Sequence, residues 1–326
     1  MHGPPLVFAL EATRPLGERV AAALGGALAL HEERGFEDGE HKSRPLTNVR
    51  ERDVYVLQSL HGLGGQSVDA KLLRLLFFIA ALRTNGATRV TAVVPYLGYS
   101  RKDRRTQPND PVTTRYVAQL FEAVDTDRIF TLEVHNVVAY QNAFRCAAEH
   151  LDSHHLFTGP VATAVGDAEV VVLSPDVGGV KRADGFRRAL EAKLMRPLGA
   201  GFMEKRRSGG VVSGEHLVGE VQGRTVVIVD DLVAGGTTVR RAAEACARAG
   251  ATRILAVAAH GVFSAQAADN LNVAPLESLL VTDSIPVDLA PAPLHSRLTV
   301  VGCAPALADA IRRLHLGEPL PGDIGG

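Results

Sequence analysis

The stretch VVIVDDLVAGGTT, residues 226–238, carries four β-branched apolar residues into two adjacent carboxylates, Asp230 and Asp231, and then into glycine and threonine. A run of that kind predicts a strand buried on both faces. In a parallel α/β sheet, ligands sit beyond the carboxyl ends of strands, where loops feed helix N-termini. DDLVAGGTT reads as such a loop, ending before a helix that starts near Val239. Gly235 and Gly236 let backbone N–H groups approach an anion, Thr237 and Thr238 add hydroxyls, and the helix N-terminus adds positive potential. A positive φ is expected at Gly235. The loop suits a phosphate, and the acids one strand end away suit the vicinal hydroxyls of a sugar carried on it. The plainer alternative is a strand followed by a capped turn.

Outward from this stretch, short β-branched runs alternate with segments of helical period. DVYVLQS, RVTAVVPYL, RIFTLEV, EVVVLSP, TVVIVDD and RILAVAA read as strands; DAKLLRLLFFIAALR, VTTRYVAQLFEAV, RADGFRRALEAKL and VRRAAEACARA read as helices. The alternation predicts an α/β protein of mainly parallel sheets flanked by helices. The halves also repeat: LRTNGATRVTAVV around Gly86 matches ARAGATRILAVAA around Gly250, and RDVYVLQSL falls opposite RTVVIVDDL, with a longer loop in the first copy. Two tandem duplicated domains are expected, over residues 1–155 and 156–304, the helix at 305–326 completing the first. Gln58 and Ser59 stand where Asp230 and Asp231 stand in the second copy, so only the second is expected to carry the acidic site.

Composition narrows the function classes. The chain has 326 residues, 46% of them hydrophobic, a formal net charge of -1, 5% aromatic residues and no tryptophan, which disfavours a nucleic-acid binder. The longest apolar run, LLRLLFFIAAL, is too short to span a bilayer and contains Arg74, and no basic leader precedes an apolar segment, so a cytoplasmic protein with no membrane partner is expected. Cys146, Cys246 and Cys303 form no CxxC pair and support neither a disulfide framework nor a zinc site.

VVIVDDLVAGGTT resembles the phosphoribosyl-pyrophosphate loop shared by type I phosphoribosyltransferases and ribose-phosphate diphosphokinases. GFEDGE, AVVPYLGYSRKDRR, TLEVH, LSPDVGGVKRA, MEKRR, VTDSIP and AIRRLHLGEPL resemble the diphosphokinase family in the same order over nearly the whole chain. The resemblance implies two type I phosphoribosyltransferase-like domains, ATP and ribose 5-phosphate as substrates, and a dimer-based homo-oligomer, commonly a hexamer. It implies that Asp230, Asp231, Gly235, Gly236, Thr237 and Thr238 hold ribose 5-phosphate. Arg101, Lys102, Asp103 and His135 would lie near the ATP phosphates, while Phe36, Asp38 and Glu40 would reach the adenine of a neighbouring subunit. His135 and Asp176 would be ligands of Mg2+, and Lys205 and Arg207 catalytic cations ahead of a mobile glycine-rich loop, SGGVVSGEH.

The chain departs from the family at several points. Ala234-Gly235 replaces the usual Asp-Thr, Lys102 a Gln, and Glu133 an Asp. Three readings follow: an active diphosphokinase, a phosphoribosyltransferase, and a catalytically weak paralogue that regulates a true synthase.

Overall fold

Strands apolar on both faces require helices on both sides, and the chain satisfies this requirement twice. The computed structural model describes residues 3–208 and 211–320, with the backbone alone over 205–208 and 211–215. It contains two compact units, Met1–Asp152 with Cys303–Gly326, and Ser153–Gly302.

The first unit runs β1 (Leu6–Ala9), α1 (Arg14–Ala23), β2 (His31–Gly35), β3 (His41–Pro45), β4 (Asp53–Leu57), α2 (Val68–Thr84), β5 (Arg89–Val93), α3 (Thr113–Ala123), β6 (Arg128–Leu132), α4 (Val137–Ala143) and β7 (Ala147–Leu151). Its sheet is parallel, in the order β1-β4-β5-β6-β7. The β2–β3 pair is a separate antiparallel hairpin. The Ser67 hydroxyl caps α2 by accepting from the Ala70 N–H, and Asp69 complements the positive end of that helix. Leu72, Leu75, Phe78 and Ile79 of α2 then enter the core.

The second unit runs α5 (His154–Val165), β8 (Val170–Ser174), α6 (Val180–Leu194), β9 (Gly199–Ser208), β10 (Val211–Val218), β11 (Thr225–Val233), α7 (Thr237–Arg248), β12 (Arg253–Gly261), α8 (Ala267–Val273), β13 (Ser278–Thr282) and β14 (Leu298–Val301). The sheet order is β10-β9-β8-β11-β12-β13-β14, with only the edge strand β10 antiparallel to its neighbour. Val226 and Ile228 of β11 pack with Val239, Ala242 and Cys246 of α7. Val227 and Val229 pack on the other face with Phe186 and Leu190 of α6. The strand that carries the acids is thus central and covered on both sides.

The repeat is visible in hydrogen bonds. The Ala87 N–H donates to Leu82 O at 3.1 Å and the Ala251 N–H to Cys246 O at 3.0 Å, closing α2 and α7 alike on a left-handed glycine, Gly86 and Gly250. Each following strand is docked the same way, by Thr88 N–H on Arg52 O and Thr252 N–H on Arg224 O.

Two expectations change. The strand β11 runs past both acids to Val233, and α7 begins at Thr237 rather than near Val239, so the connecting loop shortens to residues 234–236. The segment after Met203, expected as a mobile loop, continues as paired β9 and β10 backbone, from Phe202 opposite Val218 to Ser208 opposite Val211; Val211 and Val212 favour that extended pairing. The helix α5 carries Pro160 in its interior.

The last helix, α9 (Ala304–Leu316), packs with α1 in the first unit. His315 Nδ1 lies 2.7 Å from Asp53 Oδ2, a carboxylate that also accepts from Arg89 Nε at 2.9 Å and from Tyr55 OH at 3.2 Å. Burial alone would raise the Asp53 carboxyl, but the hydrogen bonds from Arg89 and His315 outweigh it and hold the group below its ordinary value. A depressed carboxyl contributes stability above its unfolded value of about 3.9 and loses it as pH falls through the lower folded value. Asp53→Asn is therefore expected to destabilise the protein by about 1–3 kcal/mol at pH 7 in urea titrations. The gap to wild type should narrow as the pH is taken below about 4.

Candidate active site

Two adjacent carboxylates near the end of a buried strand need partners. Asp231 is buried and Asp230 partly buried. The Asp231 N–H donates to Asp230 Oδ1 at 2.9 Å, and Arg182 Nη1 on the first turn of α6 lies 3.7 Å from Asp231 Oδ1. Burial first, then the hydrogen bond and repulsion of Asp231, push the Asp230 carboxyl well above its ordinary value.

The loop beyond it turns on Gly236, whose φ of 75° is left-handed and whose added Cβ would meet Leu271 Cγ at 2.8 Å. Gly236, not Gly235, is the residue with the positive φ; around Gly235 an added Cβ meets only Ser264 Oγ, at 3.7 Å. No side chain caps α7, so its first-turn N–H groups point out of the helix with Thr237 and Thr238 exposed beside them. The loop is held from behind: Asn270 Nδ2 on α8 donates to Gly235 O at 2.7 Å, and Ser264 N–H to Ala234 O at 3.1 Å.

At the neighbouring strand end, β8, Asp176 Oδ1 accepts from the Gly179 N–H at 2.9 Å, closing a turn into α6, and Ser174 Oγ donates to Asp176 O at 2.6 Å. Among the described residues no three His, Cys, Asp or Glu side chains form a preformed metal cage.

The first unit gathers the other expected residues in two places. Phe36, Asp38 and Glu40 are exposed on the β2–β3 turn, where the Glu40 N–H donates to Asp38 Oδ1 at 3.0 Å and the Arg34 guanidinium lies 5.2 Å from the Phe36 ring centre. Arg101, Lys102 and Asp103 follow Tyr99, which is left-handed with φ 64° and bonds Asp69 through its hydroxyl. Asn136 joins this loop to His135: its Nδ2 donates to Asp103 Oδ2 at 2.7 Å, while its Oδ1 caps α4 at Ala139 N–H. The backbone just before His135 is left-handed at Glu133, φ 48°, an arrangement that costs about 1–3 kcal/mol and clusters at functional sites. The Lys102 ammonium pairs with Asp110 of the same loop. That pairing, with the Thr106 hydroxyl and N–H and the Gln107 N–H, holds the Asp110 carboxyl below the usual range. The Lys205 and Arg207 side chains lie outside the described residues.

Residues 6–124 match the N-terminal domain of ribose phosphate pyrophosphokinase, and residues 213–321 match the phosphoribosyl synthetase-associated domain. A ribose-phosphate pyrophosphokinase of Xanthomonas axonopodis pv. citri is 35% identical over 96% of this chain and 95% of its own. A putative ribose-phosphate pyrophosphokinase 1 of Enterococcus faecalis is 32% identical over 96% and 93%. The crystal structure of phosphoribosylpyrophosphate synthetase from Mycobacterium smegmatis superposes with a TM-score of 0.86 at 30% identity, covering 97% of this chain and all of that one. The chain belongs to the ribose-phosphate pyrophosphokinase family.

Within this pyrophosphokinase framework, the residues that sequence reasoning missed are Arg182, Asn136, Asn270 and Asp110. Arg182 had a signal, lying in the quoted LSPDVGGVKRA; the other three depend on partners distant in sequence or on a local turn no motif announces.

The raised carboxyl at Asp230 costs stability when ionised. Its share is present below an unfolded value of about 3.9 and is lost as pH rises through the higher folded value. Asp230→Asn, measured without ligand or metal, is expected to stabilise the protein at pH 7–8 by about 1 kcal/mol relative to wild type, with no gain near pH 4. The same variant should bind ribose 5-phosphate more weakly, which calorimetric titration reads directly.

Proposed function

We propose that the chain moves the β,γ-diphosphoryl group of ATP onto the 1-hydroxyl of ribose 5-phosphate, giving phosphoribosyl pyrophosphate and AMP. The observation that carries this reading is the Asp230–Asp231 pair one short turn from the uncapped N-terminus of α7. Its acids accept from the ribose hydroxyls, and the loop N–H groups with Thr237 and Thr238 donate to the 5-phosphate. The bond from O1 of ribose to the β-phosphorus forms as the bridge bond from that phosphorus to the α-phosphate oxygen breaks; AMP keeps the bridge oxygen and the 1-hydroxyl proton is released. Lys205 and Arg207 are assigned to offset charge on the phosphoryl oxygens as it redistributes. Arg101, Asp103 and His135 are assigned to ATP, with Lys102 bracing the same loop through Asp110; Phe36, Asp38 and Glu40 are assigned to the adenine of a second subunit in a cytoplasmic, dimer-based oligomer.

The donor chemistry fits magnesium shared with ATP. That ion usually takes one or two carboxylates and completes its shell with phosphate oxygens and water, so it needs no protein cage, and Asp176 and His135 are each assigned to it from the family resemblance. When bound it neutralises phosphate charge and orients the triphosphate. Asp176, fixed by its turn at Gly179, keeps one oxygen aimed by that hydrogen bond.

A second reading, a weak regulatory paralogue, is favoured by Ala234 and Gly235, which remove a carboxylate and a hydroxyl from the loop. One assay separates the two. Purified protein with Mg2+, ATP and ribose 5-phosphate is expected to form AMP and phosphoribosyl pyrophosphate in equal amounts; steady ADP production, or no turnover at any magnesium concentration, sinks the proposal.

The loop departure gives a sharper test. Gly235 lies outside the left-handed region, and a Cβ there would make only an ordinary contact with Ser264 Oγ. Ala234→Asp with Gly235→Thr is therefore expected to tighten ribose 5-phosphate binding by roughly 3–10-fold, through one added donor and one added acceptor. Melting temperature should stay within about 2 °C of wild type. Weaker binding with lost stability would mean that this loop requires its own residues.

A further inference from the structure

We infer that Asn270 is a positioning residue for the ribose-phosphate loop, set by a relay from α7 through α8 that stands in for the missing loop side chains. This rests on the ribose 5-phosphate reading of that loop. The Asn270 amide is oriented unambiguously, because Arg240 Nη1 has only protons to give and lies 3.1 Å from Asn270 Oδ1. Arg240 is in turn held by Glu244 Oε1, 2.8 Å from its Nε. The opposite face of the amide, Nδ2, must then point at the loop. It lies 2.7 Å from Gly235 O, 3.3 Å from Thr237 Oγ1 and 3.2 Å from Gln266 O.

Two consequences follow for an anion. Holding the Gly235 carbonyl toward α8 keeps a negative dipole off the phosphate and leaves the N–H side of the turn facing it. The Thr237 hydroxyl, by accepting from Asn270, has its own hydrogen left to donate to a phosphate oxygen. The helix that delivers Asn270 is itself fixed: Leu271 meets the Cβ position of Gly236 at 2.8 Å, and Arg297 Nη1 donates to Leu271 O at 3.1 Å and Ala274 O at 3.0 Å. A loop with no side chain at Gly235 cannot hold itself, and α8 supplies the hold.

Ribose 5-phosphate titrated calorimetrically into the full-length protein and its variants tests the inference. Asn270→Asp keeps the shape and the Arg240 partner but has no amide proton to give. It and Asn270→Ala are each expected to weaken ribose 5-phosphate binding by ~10-fold. KM for ribose 5-phosphate should rise in step while KM for ATP and the melting temperature stay put, a split that a merely structural role would not produce. Arg240→Ala should share the loss, and adding it to Asn270→Ala should cost little more, since both act through one amide. Unchanged ribose 5-phosphate affinity, equal weakening of both substrates, or full additivity overturns the inference. The titration needs no turnover. A wild type that binds ribose 5-phosphate through Asn270 yet forms no AMP would therefore support the inference and overturn only the assigned reaction, whereas a wild type that binds none overturns both.

Discussion

The second unit answers to one electrostatic constraint: two carboxylates on consecutive residues of a strand buried on both faces. At short range in a medium of low dielectric, like charges repel strongly and water is not there to screen them. The protein offsets this partly, with Arg182 at 3.7 Å from Asp231 and the Asp231 N–H on Asp230. Both acids stay near the carboxyl end of the strand, the edge at which parallel α/β sheets take up ligands. Covering β11 with α6 on one side and α7 on the other serves the same end, since a rigid central strand keeps the acids from relaxing toward solvent.

The first copy shows what the same framework becomes when the constraint is absent. Its helix ends and strand starts use the hydrogen bonds of the second copy, as Ala87 and Ala251 show. At the strand end, however, Gln58 and Ser59 are buried and bonded internally, Gln58 Oε1 accepting from Thr13 Oγ1 at 3.2 Å and Ser59 N–H donating to that hydroxyl at 2.9 Å. The loop beyond is closed by Lys71, fully buried, whose ammonium donates to His61 O at 2.8 Å and Leu63 O at 2.9 Å. Burial lowers that ammonium to about 8 and His61 to about 4, the latter helped by repulsion from Lys71. The first copy thus holds its loop with its own buried side chains.

What could be read from the sequence was whatever repeats over short distances. The apolar run into Asp230, the glycines after it and the helical spacing of Val239, Ala242 and Cys246 are local patterns, and they located the sheet, the acids and the helix that follows. The end of β11 was misplaced because a strand buried by its neighbours continues through two acids that, alone, read as a break. The partners of the site were hidden for a different reason. Asn270 lies 35 residues from Gly235, and Asn136 lies 33 from Asp103. Such pairs are made by the packing of α8 on the loop and of α4 beside the first unit's loop, and no spacing rule connects them.

The two adjacent glycines of the loop are therefore not equivalent, although they look alike in sequence. Gly236 is fixed twice over, by a left-handed backbone and by Leu271 where its Cβ would stand. Gly235 has neither restraint, and its carbonyl, not its side-chain position, is what the neighbouring helix grips. A family position that ordinarily carries a hydroxyl can lose it there without disturbing the backbone, provided something else aims the turn. The amide of Asn270, itself aimed by Arg240, meets that condition from outside the loop, so the backbone of the turn is held without a side chain at Gly235.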